Sequence, residues 1–301
     1  MECAGLRLDQ ALAQLFPQHS RSRLQGWLKA GHIVLDGAPQ AEAKRKVWGG
    51  EQLSVAEPPL PEETAQQAED IALDIVFEDE ALIMLNKPAG LVVHPGSGNW
   101  SGTLLNALLH HAPALAGLPR AGIVHRLDKD TSGLMVVART LEAQTSLVRQ
   151  LQARSVRRHY AALVHGTPPA QGTVDAPLGR HPIQRTRMAV VANGRAAVTH
   201  YRVIERLGEL SLVECRLETG RTHQIRVHMT HLGHPLVGDP VYGRRTQRDP
   251  LLAAFPRQAL HAFELGLQHP SSGGACSWRV PYAADLADLL AAVRARQEKV
   301  E

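Results

Sequence analysis

The sequence predicts an α+β protein in which a small N-terminal module is joined by a polar linker to a larger domain, built on a mixed, mostly antiparallel sheet flanked by helices. Three observations carry this expectation. Apolar runs of strand length dominate after residue 71, with helical patterns between them. No regular β-α-β alternation appears. Residues 57–70, EPPLPEETAQQAED, combine three prolines with several acids and no aromatic group, which is the chemistry of an extended, solvated connector. The expected organisation is therefore a module at 1–56, a linker at 57–70 and a domain at 71–301.

The module opens with LRLDQALAQLF, whose apolar residues at 8, 11, 12, 15 and 16 have helical spacing. In RSRLQGWLKAG a second helix follows, with Ser20 as N-cap, Leu24, Trp27 and Leu28 as the apolar stripe and Gly31 placed to end it. Arg21, Arg23 and Lys29 fall off that stripe, and Lys44, Arg45 and Lys46 follow later. HIVLDG reads as a strand entering an Asp-Gly turn, and VWGGEQLSV as a second strand.

In the large domain, DIVFEDEALIMLNKPAGLVVHPG contains apolar runs punctuated by Lys-Pro and Gly, which read as paired strands with tight turns. TLLNALLHH is a short helix, LMVVA a strand, and SLVRQLQARSV a helix following LEAQT. HYAALVHG, TVDAPLG, RTRMAVV, AAVTHYRVIERL and LSLVECRLETG read as further strands, and QIRVHMTHLG as a helix.

With 301 residues, 44% hydrophobic and 21% charged, the chain is long enough for one substantial core. No apolar run approaches the length of roughly 20 residues that a membrane span needs, and the N-terminus lacks the pattern of a secretory signal, so a cytoplasmic location is expected. Three widely spaced cysteines, Cys3, Cys215 and Cys276, exclude a disulfide framework and a cysteine-based zinc site. The net charge is +4, and all but six of the 33 basic residues are arginine, a side chain suited to phosphate.

Between two apolar runs lies HRLDKDTSG, residues 125–133. A calcium loop would use Asp128, Asp130, Ser132 and Gly133 at its first, third, fifth and sixth positions, but its twelfth, which must be a bidentate acid, falls on Arg139. A solvated turn fits the Asp, Thr, Ser and Gly content. A catalytic loop is the third reading, and ETGRTHQIRVHM supports it by offering an arginine, Arg226, that can hold a buried aspartate ionised. His223, His228, His231 and His234 crowd one segment as a zinc hydrolase might, yet no HExxH pattern occurs.

HRLDKDTSGLMVVAR resembles the signature of the bacterial large-subunit rRNA pseudouridine synthases, and NKPAGLVVHPG, RRHYAALVHG, GRTHQIRVHMTHLGHPLVGDPVYG and RQALHA resemble further blocks of that family. The order RLD, SRSR, GHIVLDG and KVWGGEQL resembles the S4 RNA-binding domain. Within the family an S4 module narrows the likeness to types C and D, and GTVDAPLGRHP, RTRMAV and AAVTHYR look most like type D.

The resemblance implies a pseudouridine synthase fold with an S4-like domain, and an isomerase that converts uridine to pseudouridine in 23S rRNA without metal or cofactor. Type D members act on the helix 69 stem-loop and type C members elsewhere in the same RNA; a non-catalytic rRNA-binding assembly factor is the alternative from another class. By resemblance Asp128 is the catalytic carboxylate, Arg226 its salt-bridge partner, Tyr160 the residue that stacks on uracil and assists removal of the C5 proton, and Ile225 part of the apolar wall. Arg126 resembles the arginine that fills the vacated base stack. His125 packs or contacts RNA, and Lys87 shapes the supporting turn or lies near phosphate. Arg21, Arg23, Lys29, Lys44, Arg45 and Lys46 are the expected S4 surface for RNA. Arg158 stands where a lysine is frequent in the family. The large ribosomal subunit or its precursor is the implied partner of a monomeric enzyme.

Overall fold

A computed structural model describes residues 3–57, 65–96, 98–243 and 249–298. The chain divides into two compact units, 1–64 and 65–301. Half of the expected linker, residues 58–64, lies outside the described residues.

In the first unit, helix α1 (Leu8–Leu15) and helix α2 (Arg21–Lys29) pack against a three-stranded sheet of β1 (Ile33–Leu35), β2 (Ala38–Pro39) and β3 (Leu53–Val55). Ser20 caps α2 by accepting from the Arg23 amide, and Leu24, Trp27 and Leu28 are buried, as their spacing requires. Asp36 and Gly37, both at positive φ, turn β1 into β2. Only Leu53–Val55 of the expected strand VWGGEQLSV pairs. Glu51 accepts the amides of Trp48 and Gly49, which folds that stretch into a turn and leaves Trp48 71% exposed.

The second unit contains β4 (Ile75–Glu78), β5 (Leu82–Lys87), α3 (Leu104–His111), β6 (Ser132–Ala138), α4 (Leu141–Gln152), β7 (Arg157–His165), β8 (Gln171–Asp175), β9 (Leu178–Arg180), β10 (Met188–Val190), β11 (Val198–Leu207), β12 (Leu210–Leu217), α5 (Gln224–His231), α6 (Pro250–Ala253), β13 (Leu260–Gln268), β14 (Ala275–Arg279) and α7 (Ala284–Gln297). The main sheet runs β4-β5-β6-β13-β7-β12-β11-β8, with β14 added to β13. Its one parallel contact is β6 with β13, so the sheet is mixed and mostly antiparallel, as expected. The run LVV at 91–93 makes a single bridge, Val92 to Thr103, instead of a strand. The carboxyl-terminal β13, β14 and α7 complete the unit.

Both faces of the sheet are covered. On β7, Tyr160, Ala162 and Val164 face the cluster that contains α3 and the Ile225 side of α5, while Ala161 and Leu163 face α7. Residue parity on a strand decides the face, so Arg158 and Tyr160 share one side. β6 is buried along its full length, Met135 and Val137 on one face and Leu134 and Val136 on the other, which accounts for its unbroken apolar run. Gly133 sits where β6 meets β13 and has φ 113°. A Cβ there would stand 2.2 Å from the Ala262 carbonyl oxygen, so only glycine permits the approach.

Candidate active site

The sheet register assembles the site. Gly133 on β6 opposes Ala262 on β13, and Ala262 opposes Tyr160 on β7. The loop 125–131 feeding β6 is therefore delivered beside Tyr160, although 32 residues separate Asp128 from that tyrosine.

The loop is held through its main chain. The Lys129 carbonyl accepts from Lys87 Nζ at 2.8 Å and from the Gly90 amide at 3.0 Å. The Asp130 carbonyl accepts from Arg257 at 3.0 Å, and the Thr131 hydroxyl accepts from Gln258. Arg257 is itself fixed by two bonds to Asp285. Leu127 is buried in the core while its neighbour Arg126 is exposed. Asp128 is thus presented between an anchored leucine and a clamped backbone.

Arg226 on α5 donates 3.0 Å from Nη1 to Asp128 Oδ2, which joins two of the expected site residues. Its other donors, Nε at 2.7 Å and Nη2 at 2.9 Å, grip Asp239. Burial works against the charged guanidinium, but Asp239 and then Asp128 outweigh it and raise its pKa above the ordinary arginine value. Burial likewise disfavours the Asp239 carboxylate, but Arg226 and the Val241 and Tyr242 amides hold its pKa below the ordinary range. Asp239 was not singled out in the sequence; the signal available was GDPVYG after an arginine that a single carboxylate could not satisfy.

Tyr160 and Ile225 are buried in the same apolar cluster. Burial raises the Tyr160 pKa, with Arg158 opposing and Asp128 reinforcing, so the phenol stays protonated. Its hydroxyl has no hydrogen-bond partner among the described residues, and the ring lies beside the Asp128 charge. Arg158 is buried, donates to the Glu218 carbonyl and leaves its Nε without a partner. Arg126 forms no hydrogen bond or ion pair with any described residue, so its guanidinium is available to a ligand.

Two further candidates have their side chains engaged within the protein. Lys87 is fully buried and spends its donors on the carbonyls of Pro88, Leu91 and Lys129, so no proton is left for a phosphate. Burial lowers its pKa to about 7, against the pull of Asp130 and Asp128. Of the two roles open to Lys87, the structure gives it the supporting one. His125 accepts from the Val136 amide at Nε2, and burial, with Arg158, pushes its pKa down to about 3. Its Nε2 is committed to this packing contact.

The four clustered histidines separate in space. His228 is buried between Thr199 and the Ala176 carbonyl, His234 bonds the His165 carbonyl, His231 is exposed, and His223 faces Asp128. Among the described residues no group of three or more His, Cys, Asp or Glu is arranged to hold a metal ion.

In the first unit, Arg21 is tied to the buried Asp9 by two bonds, and Arg23 lies over the Trp27 ring at 5.6 Å. Burial disfavours the Asp9 carboxylate, but Arg21, Gln25 and Arg7 hold its pKa low. Lys29, Lys44, Arg45 and Lys46 are exposed. Among the described residues, Arg23 and those four carry positive charge without a salt-bridge partner, while Arg21 is paired with Asp9.

A sequence profile of RNA pseudouridylate synthase matches residues 81–231, and one of the S4 domain matches residues 6–53. The chain is 61% identical over 295 residues to ribosomal large subunit pseudouridine synthase D of Nitrosomonas europaea, covering 97% of this chain and 85% of the relative. It is 53% identical to the protein of that name from Escherichia coli, covering 98% and 93%. Among solved structures, human RNA pseudouridylate synthase domain containing 1 superposes with a TM-score of 0.58 at 27% identity, over 80% of this chain and 98% of that one. The matched spans contain the Asp128 loop, Tyr160 and Arg226, and on that footing the chain belongs to the RNA pseudouridine synthase family, with an S4 domain at its N-terminus.

Proposed function

We propose that this protein isomerises uridine to pseudouridine in large-subunit rRNA, with the helix 69 stem-loop as its target. The observation that carries the reading is the Asp128–Arg226 pair set against Tyr160 and Ile225. A carboxylate paired with a guanidinium beside an apolar slot suits a reaction in which the bond from N1 to the ribose breaks, the uracil rotates, and a new bond forms at C5. Asp128 serves as the group that promotes both bond changes, as nucleophile or base. Arg226 keeps it aimed. Tyr160 and Ile225 sandwich the base, and Tyr160 assists loss of the C5 proton.

The target base has to leave its stack, at a cost of a few kcal/mol. Arg126 fills the gap, since a planar guanidinium can replace a base. Exposed Lys29, Lys44, Arg45 and Lys46 contact phosphates and position the RNA without reading its sequence. The enzyme acts as a cytoplasmic monomer and draws on no cofactor. No helix among the described residues is long and apolar enough to cross a membrane.

Release of tritium from C5-labelled uridine in 23S rRNA tests the activity. Wild type releases label and Asp128→Asn does not; a silent wild type, or an equally active Asp128→Asn, overturns the assignment. Mapping pseudouridines in ribosomes from cells lacking the protein tests the target. Loss confined to positions outside helix 69 would favour type C chemistry.

A further inference from the structure

His223 has no role in the function proposed above, yet it faces the reacting carboxylate. It is the N-cap of α5 and adopts the left-handed conformation, φ 56° and ψ 23°. Non-glycine residues rarely hold this conformation, and it clusters at functional sites. The helix start is pinned from below by Gln224, whose amide bonds Thr219, Arg221, Val198 and Thr199. The imidazole is thereby turned away from the helix, its Nε2 3.9 Å from Asp128 Oδ1. That oxygen is the one Arg226 leaves unused, because Arg226 bonds Oδ2.

The other ring nitrogen fixes the tautomer. His223 Nδ1 lies 2.8 Å from the Tyr242 hydroxyl, and that oxygen already accepts the Met188 amide at 2.8 Å. Among the described residues Nδ1 is the one acceptor in reach of the Tyr242 proton, and the assignment that satisfies both groups has Tyr242 donating and Nδ1 accepting. The Tyr242 ring is itself fixed by stacking under Arg226, 5.1 Å from the guanidinium carbon. A neutral imidazole that accepts at Nδ1 carries its hydrogen on Nε2. Burial favours this neutral form; Asp128 and Asp239 pull towards the charged form, Arg226 and Arg126 away from it, and the pKa is lowered overall.

An N–H donor and a carboxylate oxygen therefore face one another across 3.9 Å. That separation is too long for a hydrogen bond between them. It fits one atom that accepts from the first and donates to the second. A uracil carbonyl cannot donate, and an amide N–H cannot accept. A hydroxyl does both.

We propose that His223 Nε2–H and Asp128 Oδ1 together form a receptor for the ribose 2′-hydroxyl of the target nucleotide, making His223 a specificity-determining residue that selects RNA over DNA. The 2′-hydroxyl is both donor and acceptor and distinguishes the two polymers at a single site. The proposal rests on the uridine isomerase reading, because it places the sugar of the target beside Asp128.

The experiment uses the full chain and the helix 69 stem-loop RNA, with either uridine or 2′-deoxyuridine at one target position. Binding is measured by fluorescence anisotropy, and C5 tritium release by the all-ribose RNA in parallel. Wild type should bind the ribose form about tenfold more tightly, as expected for about 1.4 kcal/mol from a lost polar contact. His223→Ala should bind both forms alike, and His223→Gln, which can place an amide N–H near the same point, should recover part of the preference. Nitrogen-15 NMR of histidine-labelled protein should find the His223 ring in the Nε2–H form, and Tyr242→Phe should release it to a mixture of tautomers. A preference that survives in His223→Ala, an equal affinity in wild type, or an Nδ1–H ring overturns the proposal while leaving the isomerase reading intact. A wild-type protein that releases no tritium from this RNA overturns both.

Discussion

Arg226 and Asp239 form a two-pronged ion pair in which both side chains are buried. Arg226 gives one further bond to Asp128, so the buried pair acts as the fixed mount for the Asp128 carboxylate. Asp239→Ala leaves the guanidinium buried with a single partially exposed counter-charge and should cost about 3–5 kcal/mol of stability, as loss of one member of a buried pair does. Arg226→Lys keeps the charge but cannot span both carboxylates; tritium release should fall by more than tenfold with a smaller loss of stability. Chemical denaturation and single-turnover assays on the two variants separate these outcomes.

Asp128→Asn should behave in the opposite way. Arg226 remains neutralised by Asp239 when Asp128 loses its charge, so the denaturation midpoint should correspond to a stability within about 1 kcal/mol of wild type. Activity should vanish.

Lys87→Met preserves bulk but removes the ammonium donor from the carbonyls of Pro88, Leu91 and Lys129, the last of which keeps the Gly90 amide. A loss of about 2 kcal/mol or more is expected, together with slower isomerisation as the Lys129 carbonyl loses one of its two donors. The dependence of RNA affinity on salt should not change. A lysine on phosphate would lower the slope of log affinity against log salt by about one, so an altered slope would contradict the supporting role.

His125 accepts the Val136 amide at Nε2 and so must stay neutral. Its pKa in the fold, about 3, lies below the unfolded value of about 6.5. Between these values the unfolded chain binds more protons, so stability is complete above about pH 6.5 and declines as pH falls towards 3. At pH 5 the deficit from this one group is about 2 kcal/mol. His94 and His261, each lowered to about 4 by burial and by nearby arginines, add to the same decline. His125→Gln offers an acceptor that does not titrate, and its denaturation midpoint should change less between pH 7 and 5 than that of wild type.

Arg126 is exposed and makes no bond to the described protein. Arg126→Ala should leave stability within about 0.5 kcal/mol of wild type and reduce target-base exposure about tenfold, by loss of stacking. Fluorescence of 2-aminopurine next to the target position reports the exposure. Arg126→Lys should not restore it, because an ammonium has no planar face to stack.

Much of this architecture could be read from residue pattern. The spacing of Leu24, Trp27 and Leu28 and the cap at Ser20 defined a helix, and turn residues in HRLDKDTSG marked a loop between apolar segments. The proposed site trio of Asp128, Tyr160 and Arg226 was legible through motif likeness, since nothing local reveals that residues 128 and 226 meet. What escaped depends on pairing across the sheet. Trp48 looked like strand because alternation cannot register that Glu51 captures two amides and bends the chain. Sequence left Lys87 between shaping a turn and meeting phosphate, because its three carbonyl partners come together only in the fold. The partner of Arg21, Asp9, lies twelve residues earlier on another helix, and no local pattern announces that pairing. Asp239 and His223 gained meaning only from their distances to Arg226 and Asp128.

The attachment of the Asp128 loop by its carbonyl oxygens has an evolutionary consequence. Lys87 and Arg257 grasp main-chain atoms that every amino acid supplies, so the path of the loop is indifferent to which side chains decorate its outer positions. An exposed side chain such as that of Lys129 can change without displacing the neighbouring carboxylate. One backbone scaffold can thus be inherited by paralogues with different target nucleotides, their divergence written in the exposed positions and their chemistry kept constant.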